Sequence, residues 1–408
     1  MNLLILADDL TGALDTGVQF AVRGISTKVV VLSASALQIP SDAEVVVIDT
    51  ETRHVRPQTA AAIVANIIRS LSKYNIKTIY KKTDSALRGN VGAELNAVMT
   101  ASHSRYLHFL PAFPQMNRIV QEGCLYINGI PVADSVFGRD PFEPVRHSEI
   151  KQIIGPYTEQ MTTAETFDPN IPGGIVIYNS HTLQDMINVG LELKRKNELH
   201  TLAGCAGFAS LLPDLLELRT KTVSNPACGS SLLVICGSVN PISTEQIACA
   251  ASGPFITRHL GPEQITPNWF LQRDGTDFLQ ELHRICNVYP LCALDTGGIS
   301  GNDAKNRLTI SRSLGYTAKW LLDQGIPHTI LLTGGDTLLA FIHQLQVSEL
   351  TPICELISGV VLFSVRYQGK THYLLSKSGG FGAPELLLQL AELLYPPSLP
   401  SIKKGVHL

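Results

Sequence analysis

The chain has 408 residues, of which 45% are hydrophobic and 16% are charged, and its formal net charge is −3. Single cores stop growing at roughly 250–300 residues, so a chain of this length predicts two domains. The slightly acidic balance argues against a nucleic-acid or anionic-membrane partner, because both normally require a basic excess.

The chain also lacks the patterns of export and membrane insertion. Met1–Ala7 is a short apolar run without a basic leader, and no apolar stretch approaches the ~20 residues that cross a bilayer. The eight cysteines contain no Cys-x-x-Cys pair and are typical of reduced, buried thiols. We therefore expect a cytoplasmic protein. The low charged fraction indicates much buried surface, for which a homodimer is a reasonable expectation.

In the first half, apolar strands alternate with helices. Strands are predicted at Leu3–Ala7, Lys28–Leu32, Val45–Ile48, Lys77–Tyr80, Arg105–Leu110 and Ile175–Tyr178. Helices are predicted at Thr11–Arg23, Pro57–Lys73, Val91–Thr100, Thr182–Leu193 and Gly207–Leu218. Continuous apolar strands separated by helices indicate a mostly parallel sheet covered on both faces. The segment Pro111–Pro144 is predicted to be irregular, and a lid is one interpretation of it.

The polar stretch 219–230 marks the predicted domain boundary, which gives domains 1–225 and 226–408. Beyond it, strands are predicted at Ser231–Cys236, Pro290–Leu294 and His328–Leu332, followed by a hairpin of Val360–Tyr367 with Thr371–Ser376. Helices are predicted at Ala304–Leu322, Thr337–Gln344 and Leu386–Leu394. The predicted fold class is α/β, with an N-terminal domain of mostly parallel sheet and flanking helices and a second α/β domain.

Ligands of α/β sheets bind at the carboxyl ends of the strands, and three carboxylates (Asp8, Asp9 and Asp15) follow the first predicted strand. Asp8 or Asp9 can cap the next helix, but a cap explains only one of the three. Closely spaced acids also accept hydrogen bonds from hydroxyls, hold Mg²⁺ or act as a base. As the base we favour Asp9 over Asp8.

A second polar loop, Lys81–Asn90, follows a later strand and carries three cations and one carboxylate. Arg88 is suited to bind a carboxylate with two hydrogen bonds, and Lys82 adds charge. Asp84 is a rival to Asp9 as the catalytic aspartate. A small hydroxylated acid fits these two loops together, and Arg118 in the segment Pro111–Pro144 is a further candidate to close over it.

The second half carries three glycine-containing loops, at residues 236–240, 333–337 and 376–382. Glycine lets the backbone approach phosphate oxygens, so three such loops indicate a polyphosphate ligand, with Asp336 placed to orient Mg²⁺. None is a Walker A loop or a dinucleotide fingerprint. The twelve histidines are scattered, and no zinc site is predicted; apart from the role of Asp336 beside Mg²⁺, no metal-binding residue is assigned.

At these motifs the sequence resembles the four-carbon acid sugar kinase family. Ala7–Ala13 matches the family pattern Ala-Asp-Asp-x-Thr-Gly-Ala, and Lys81–Asn90 matches Lys-Lys-x-Asp-Ser-x-Leu-Arg-Gly-Asn. The stretch Leu14–Gln19 is closer to the D-threonate and D-erythronate kinases than to the 3-oxo-tetronate kinases. Val239-Asn240 departs from the Gly-Ser-x-Ser pattern that is frequent in the family.

The resemblance implies transfer of the γ-phosphate of ATP, with Mg²⁺, to the terminal hydroxyl of a four-carbon sugar acid. On the acid side it implies roles for Asp9, Lys82, Asp84 and Arg88, beside which Asp8 is a further candidate. On the ATP side the candidates are Ser238, Gly334, Gly335, Asp336, Thr337, Gly379 and Gly380. A 3-oxo-tetronate kinase or a 4-hydroxythreonine kinase remains an alternative within the family. A hydroxy-acid oxidoreductase and a non-catalytic sugar-acid sensor are more remote alternatives.

Overall fold

The computed structural model describes residues 1–32, 37–140, 142–222, 229, 231–297 and 304–394. The chain divides into two compact units. Unit 1 comprises Met1–Asn225, Val347–Cys354 and Phe363–Lys370, and unit 2 comprises Pro226–Gln346, Glu355–Leu362 and Thr371–Leu408. The predicted boundary between residues 225 and 226 lies outside the described residues. None of the described helices combines the length and apolarity that a bilayer-crossing segment requires.

The described residues of unit 1 form the first eleven strands and seven helices. The strands are β1 (Leu3–Ala7), β2 (Thr27–Val31), β3 (Val45–Asp49), β4 (Thr78–Lys82), β5 (Tyr106–Leu110), β6 (Arg118–Gln121), β7 (Cys124–Ile127), β8 (Ile130–Pro131), β9 (Met161–Ala164), β10 (Gly174–Tyr178) and β11 (Thr201–Gly204). The helices are α1 (Leu10–Ala21), α2 (Pro57–Ser70), α3 (Val91–Ala101), α4 (Ile150–Ile154), α5 (Leu183–Arg195), α6 (Ala206–Ala209) and α7 (Leu212–Leu215).

The main sheet of unit 1 has the order β2-β3-β1-β4-β11-β5-β10-β9, and every neighbouring pair in it is parallel. Each residue of β1, β3, β5 and β10 is buried, which explains why these strands are continuous apolar runs. Because the strands are parallel, the loops that follow β1, β3 and β4 leave the same edge of the sheet, and this edge carries the candidate residues of unit 1.

Unit 2 contains the remaining helices and, together with unit 1, the remaining strands. The strands are β12 (Leu232–Cys236), β13 (Ile256–His259), β14 (Leu291–Asp295), β15 (Thr329–Thr333), β16 (Glu349–Ile357), β17 (Val360–Tyr367) and β18 (Lys370–Lys377). The helices are α8 (Pro241–Ala251), α9 (Arg273–Val288), α10 (Ala304–Asp323), α11 (Gly335–Leu345) and α12 (Leu386–Leu394). The order β13-β14-β12-β15-β18 is parallel throughout, so β12, β15 and β18 also end at one edge.

The structure differs from the sequence-based elements in several places. The segment Pro111–Pro144, predicted to be irregular, contains the antiparallel sheet β6-β7-β8 and three short 3-10 turns. The helix predicted over Gly207–Leu218 is divided into α6 and α7. Pro213 lies in the first turn of α7, where its missing N–H costs nothing but where the preceding helix cannot continue. Strands β9, β11, β13 and β16 and helices α4 and α9 were not predicted, and helix α8 had no predicted bounds.

Candidate functional site

The turn after β1 places Asp8 and Asp9 at the start of α1. Asp9 is the N-cap of this helix, and its side chain accepts hydrogen bonds from the Gly12 N–H (2.9 Å) and the Thr11 hydroxyl (2.7 Å). Asp9 therefore has the capping role that the sequence suggests for one of the acids. The Asp8 side chain is only 3% exposed and that of Asp9 is 17% exposed, so Asp9 is the more accessible of the two carboxylates.

Arg53, which the sequence reasoning missed, joins both aspartates. Its Nε donates to Oδ2 of Asp8 and its Nη1 donates to Oδ2 of Asp9, each over 2.7 Å. Its Nη2 lies 3.8 Å from Oδ1 of Asp84. One guanidinium thus compensates carboxylates from two different loops. Arg53 could have been found from the sequence, because it follows the buried strand β3 and ligands of α/β sheets bind at the carboxyl ends of the strands.

The loop after β4 is organised around Asp84. This carboxylate accepts hydrogen bonds from Nε (3.0 Å) and Nη2 (2.9 Å) of Arg88 and from the backbone N–H groups of Ala86 and Arg88. The Nη1 atom of Arg88 donates to Oδ2 of Asp140 over 3.2 Å. The predicted acid-binding residue Arg88 is therefore held in place by one neighbour in its own loop and by one from the segment Pro111–Pro144.

The charges of this cluster lower the pKa of two of its aspartates, Asp84 and Asp8. Burial raises the pKa of Asp84, but the Arg88 and Arg53 guanidinium groups outweigh it and hold that pKa well below its usual value. The pKa of Asp8 is lowered in the same way, because Arg53, Lys81 and Lys82 together outweigh its burial. The Oδ1 atom of Asp8 has no hydrogen-bond partner among the described residues.

The two lysines at the end of β4 have different surroundings. The Nζ atom of Lys81 lies 2.9 Å from Oε2 of Glu94 on α3, and both side chains are almost fully buried, so this pair is part of the interior. The Nζ atom of Lys82 donates to the carbonyl of Thr83 over 2.8 Å, and its charge acts on Asp8. The charge of Lys81 also acts on Asp8, but Lys81 is paired with Glu94. Lys82 lies beside the Asp9 turn, since a Cβ atom on Gly12 would lie 3.1 Å from its Nζ, so we assign Lys82 to the polar cluster.

The segment Pro111–Pro144 contacts these loops at several points. Arg118 donates a hydrogen bond to the hydroxyl of Ser85, and the guanidinium groups of Arg88 and Arg118 each lie 5.2 Å from the ring centre of Phe137. His54 is 3.0 Å from Glu143. Cationic and aromatic groups of this segment therefore pack directly on the predicted acid-binding loop.

In unit 2, the three glycine-containing loops that the sequence singled out lie together. Gly334 has φ +97°, a conformation that side-chain-bearing residues rarely adopt, and its N–H donates to the carbonyl of Lys377 over 3.0 Å. A Cβ atom on Gly334 would lie 3.4 Å from the Ser238 nitrogen, and one on Gly379 would overlap the Ser238 hydroxyl. Ser243 donates its hydroxyl to the carbonyl of Gly379.

The other candidates of unit 2 lie along the start of α11. Gly335 and Asp336 begin this helix, and Thr337 is buried, with its hydroxyl so close to Gly237 that a Cβ there would overlap it. The carboxylate of Asp336 lies 3.6 Å from Nε of Arg307 and is 36% exposed. Backbone N–H groups at a helix start together with nearby glycines are suited to bind phosphate oxygens.

The structure thus forms two groups from the predicted site residues. Asp8, Asp9, Lys82, Asp84 and Arg88 gather at one edge of the unit 1 sheet, where Arg53 and Asp140 join them. Ser238, Gly334 and Gly379 are mutual neighbours in unit 2, and Gly335, Asp336 and Thr337 follow Gly334 in the chain. Gly380 makes no side-chain-mediated hydrogen bond or ion pair with the described residues, and its position follows from that of its neighbour Gly379.

Comparisons with known protein families match both parts of the chain. A model described as a sugar-binding N-terminal domain covers residues 3–212, and a model described as a nucleotide-binding C-terminal domain covers residues 233–387. The chain belongs to the four-carbon acid sugar kinase family. The predicted α/β architecture of two domains, with a sugar-binding domain followed by a nucleotide-binding domain, is confirmed.

Relatives of this family with assigned activities match different lengths of the chain. A D-threonate kinase of Salmonella typhimurium is 30% identical over 264 residues, which cover 60% of each chain, so less than two thirds of that relative is spanned. A D-threonate kinase of Bordetella bronchiseptica is 27% identical over 96% of each chain. A 3-oxo-tetronate kinase of Brucella melitensis is 24% identical over 96% of each chain.

The same fold is found among solved structures. A protein from Salmonella typhimurium LT2 superposes with a TM-score of 0.76 at 17% identity, and the match covers 95% of this chain and 98% of that one. At this identity the likeness concerns the fold alone, and it extends over both units of this four-carbon acid sugar kinase family member.

Proposed function

We propose that this chain transfers the γ-phosphoryl group of ATP to the terminal hydroxyl of a four-carbon sugar acid of the D-threonate or D-erythronate type, giving the 4-phosphate. The observation that carries the proposal is the cluster in the sugar-binding domain, where Asp9 and Arg88 lie on neighbouring loops joined by Arg53. A hydroxylated acid needs both an acceptor for its hydroxyls and a cation for its carboxylate. The similarity to a D-threonate kinase over 96% of the chain supports the same substrate class.

Arg88 is our candidate for binding the substrate carboxylate. Its side chain is 17% exposed, more than the 8% of its partner Asp84. Asp84 holds Nε and Nη2, so Nη1, now bonded to Asp140, is the edge that can turn to a ligand. Lys82 adds a second positive charge on the same side, and a carboxylate that replaces Asp140 gains a charge-assisted hydrogen bond.

Asp9 is our candidate for the residue that orients the reacting hydroxyl and accepts its proton. It is the more exposed aspartate of the turn, whereas Asp8 is almost fully buried against Arg53. Asp84 accepts four hydrogen bonds and its pKa is held well below the usual value, so it is a poor proton acceptor. Between the two predicted catalytic aspartates, this geometry favours Asp9 for the proton and Asp84 for positioning Arg88.

The nucleotide side of the proposal rests on unit 2. Gly334 and Gly379 lie close to Ser238, and at Gly379 no side chain fits. The backbone N–H groups of these loops are therefore not covered by side chains at the two glycines and can face phosphate oxygens. We propose that this group of residues, with Gly335, Thr337 and Gly380, binds the triphosphate of ATP. Phosphoryl transfer needs little beyond positioning and charge stabilisation, which is what such a loop set supplies.

Asp336 fits the role of a Mg²⁺ ligand. It offers a partly exposed carboxylate at the first turn of α11, and its ionic partner Arg307 lies at 3.6 Å rather than in a close hydrogen bond. Mg²⁺ is typically held by one or two carboxylates together with substrate phosphates. When bound there, the ion would neutralise charge on the phosphate oxygens.

A substrate panel tests the proposal. The purified chain with ATP and Mg²⁺ is assayed for ADP release with D-threonate, D-erythronate, 3-oxo-tetronates and 4-hydroxythreonine, and the phosphorylated carbon is identified by NMR. We expect the highest kcat/KM with D-threonate or D-erythronate and phosphate on the terminal oxygen. Preference for a 3-oxo-tetronate or for 4-hydroxythreonine would assign that compound as the substrate instead. If none of the acids led to ADP release, the kinase proposal would be refuted.

Two controls separate the more remote alternatives. A hydroxy-acid oxidoreductase would be stabilised against thermal unfolding by NADH, whereas a kinase of this family is expected to respond to ATP. A non-catalytic sensor would bind the acid and fail to bind ATP. Both outcomes are read from the melting temperature of the same preparation with each ligand in turn.

A further inference from the structure

Three side chains that commonly bind metals meet in unit 2, away from the glycine-containing loops. Cys286 lies near the end of α9, Cys292 is the second residue of β14, and His328 directly precedes β15. One potential ligand atom from each lies within 4.8 Å of the other two. The three residues are 2%, 0% and 7% exposed. The proposed kinase reaction makes no use of this cluster.

The strand register places the cluster at the end of the sheet opposite to the nucleotide loops. Leu232, the first residue of β12, is paired with Leu291 of β14 and with Thr329 of β15. The glycine-containing loops follow the last residues of these strands, Cys236 and Thr333. At ~3.3 Å per residue, the length of a five-residue strand separates the two ends by roughly 15 Å. A ligand in the cluster would therefore not contact the proposed phosphate-binding loops.

The hydrogen bond of His328 leaves its other ring nitrogen with a lone pair that can bind a metal. Its Nε2 lies 2.9 Å from the carbonyl oxygen of Tyr289. A carbonyl only accepts, so Nε2 carries the proton and Nδ1 has an unprotonated lone pair. Nδ1 is buried and has no hydrogen-bond partner among the described residues. A histidine that donates one N–H to a backbone carbonyl and presents its other nitrogen as a lone pair is the usual arrangement of a metal ligand.

We propose that Cys286, Cys292 and His328 bind one thiophilic transition-metal ion, with Zn²⁺ as the chemical type. Two thiolates and one imidazole are a soft donor set. Such a set binds Zn²⁺ and Cu⁺ in preference to Mg²⁺ or Ca²⁺. Each thiol loses its proton to solvent on binding, and the two thiolate charges balance those of Zn²⁺ in the buried site. Three protein ligands with one open position is an established zinc arrangement.

The distances allow the site to form with small side-chain movements. At Zn–S distances of ~2.3 Å and Zn–N distances of ~2.0 Å, ligand atoms around a tetrahedral ion lie roughly 3.5–4 Å apart. The atoms here already lie within 4.8 Å of one another. No sequence pattern marks this set, because the ligands are 6 (292 − 286) and 36 (328 − 292) residues apart and come from three separate parts of the fold. No zinc spacing motif describes such a set.

Metal binding by the full-length, reduced and metal-free protein tests the proposal directly. Zn²⁺ is titrated in competition with a chromophoric chelator, and Co²⁺ is added to a second sample as a spectroscopic probe. We expect one Zn²⁺ per chain, a higher melting temperature with Zn²⁺, and a sulfur-to-cobalt charge-transfer band. The substitutions Cys286→Ser, Cys292→Ser and His328→Gln should each weaken Zn²⁺ binding at least tenfold.

Cys124→Ser and Cys249→Ser are matched controls, because both thiols are free and only partly buried. These two variants should bind Zn²⁺ like the parent chain. Should a cluster variant fail to fold, the Co²⁺ spectrum of the parent chain still decides whether sulfur is bound. Uptake well below one ion per chain, a Co²⁺ spectrum without the sulfur band, or equal Zn²⁺ affinity in folded cluster variants would overturn the proposal. None of these readouts depends on kinase activity.

Discussion

The guanidinium Nε of Arg53 donates to Oδ2 of Asp8 over 2.7 Å, and the same side chain reaches Asp9 through Nη1. Arg53 follows β3, whereas both aspartates follow β1, so this contact connects neighbouring loops of the parallel sheet. Without Arg53, the two adjacent carboxylates would lose a shared cation, and the pKa of the buried Asp8 would rise. The accessible Asp9 therefore depends on a residue that need not touch a substrate.

Arg53→Met is expected to cost both stability and activity. Removing one partner of a buried ion pair leaves an uncompensated charge, which typically costs about 3–5 kcal/mol. We expect a similar loss in the free energy of unfolding from urea titrations and a fall in kcat of more than tenfold. Arg56→Met is the control, since Arg56 is exposed in the same loop and makes no side-chain cap contact. Equal effects of both substitutions would contradict the role of Arg53.

Asp9→Asn separates the capping role of Asp9 from its charge. Asparagine is as good an N-cap as aspartate, so helix α1 should keep its start. Arg53 keeps Asp8 as its ionic partner and the asparagine oxygen as an acceptor, so the melting temperature should fall less than in Arg53→Met. If Asp9 accepts the proton of the substrate hydroxyl, kcat should fall by about 10²–10⁴-fold. Steady-state kinetics with the best acid of the panel measure this.

The control for Asp9→Asn is Asp185→Asn, which alters the exposed capping box of α5 without touching the cluster. This variant should keep full kcat. If Asp9→Asn retained more than a tenth of the parent kcat while Asp84→Asn lost more than 100-fold, Asp84 would replace Asp9 as the proton acceptor.

The sequence predicted most of the polar cluster because a single rule applies to it. Residues that follow buried parallel strands meet at one edge, and this rule singled out the Asp8–Asp9 turn and the loop Lys81–Asn90. Arg53 follows the same rule, but the loop after β3 has no pair of adjacent acids or adjacent lysines like those that drew attention to the other two loops. Its contact with Asp8 also requires β3 to be the neighbour of β1, a pairing that no local pattern indicates.

The elements that were missed have identifiable causes. Strand β11 is only Thr-Leu-Ala-Gly and is buried because β4 and β5 flank it, so tertiary contacts rather than propensity define it. Helix α9 had a usable signal, since Leu279, Leu282 and Cys286 recur at helical spacing and are all buried. Helix α12, with a dense apolar pattern, was predicted with the bounds that it has.

Asp140→Asn is expected to improve binding of the acid. Asp140 now occupies Nη1 of Arg88, and its negative charge opposes that of an incoming carboxylate. Asparagine keeps the Oδ1 acceptor for the Phe142 and Glu143 N–H groups, so the turn should persist. We expect KM for the acid to fall about two- to tenfold, with KM for ATP unchanged.

Asp168→Asn serves as the control for this change, because Asp168 is exposed and bonds only within its own turn. It should leave both KM values as they are. A rise in the acid KM of Asp140→Asn would mean that Asp140 positions Arg88 rather than competing with the substrate.

Gly379→Ala is expected to impair the nucleotide side selectively. The new Cβ would overlap the Ser238 hydroxyl, which forces the two loops apart. KM for ATP should rise at least tenfold and KM for the acid should change less than twofold. In the double variant Gly379→Ala/Ser238→Ala the hydroxyl is gone, so part of the ATP affinity should return relative to Gly379→Ala alone. Equal losses for ATP and the acid would contradict the assignment of this loop to the nucleotide.

Asp49→Asn should stabilise the protein at neutral pH. Asp49 ends β3 with 0% exposure, and its Oδ2 has no hydrogen-bond partner among the described residues. Burial, and then the charge of Glu51, raise the pKa of Asp49 well above its ordinary 3.8. A carboxyl whose folded-state pKa is raised stabilises the folded state below pH 3.8, and this contribution is lost as pH rises through the folded-state pKa. At pH 7, far above the unfolded-state pKa, this contribution is reduced, and asparagine, which does not titrate, does not suffer that loss.

We expect the free energy of unfolding of Asp49→Asn at pH 7 to exceed that of the parent chain by about 1 kcal/mol or more, in the range of an unsatisfied buried polar group. Between pH 4 and pH 7 the difference between the two should grow with pH, because only the parent chain carries the titrating carboxyl. Urea titrations at several pH values measure it, and Asp42→Asn, at an exposed position before the same strand, should track the parent chain. A difference that is constant with pH would show that the effect of Asp49 is packing and not charge.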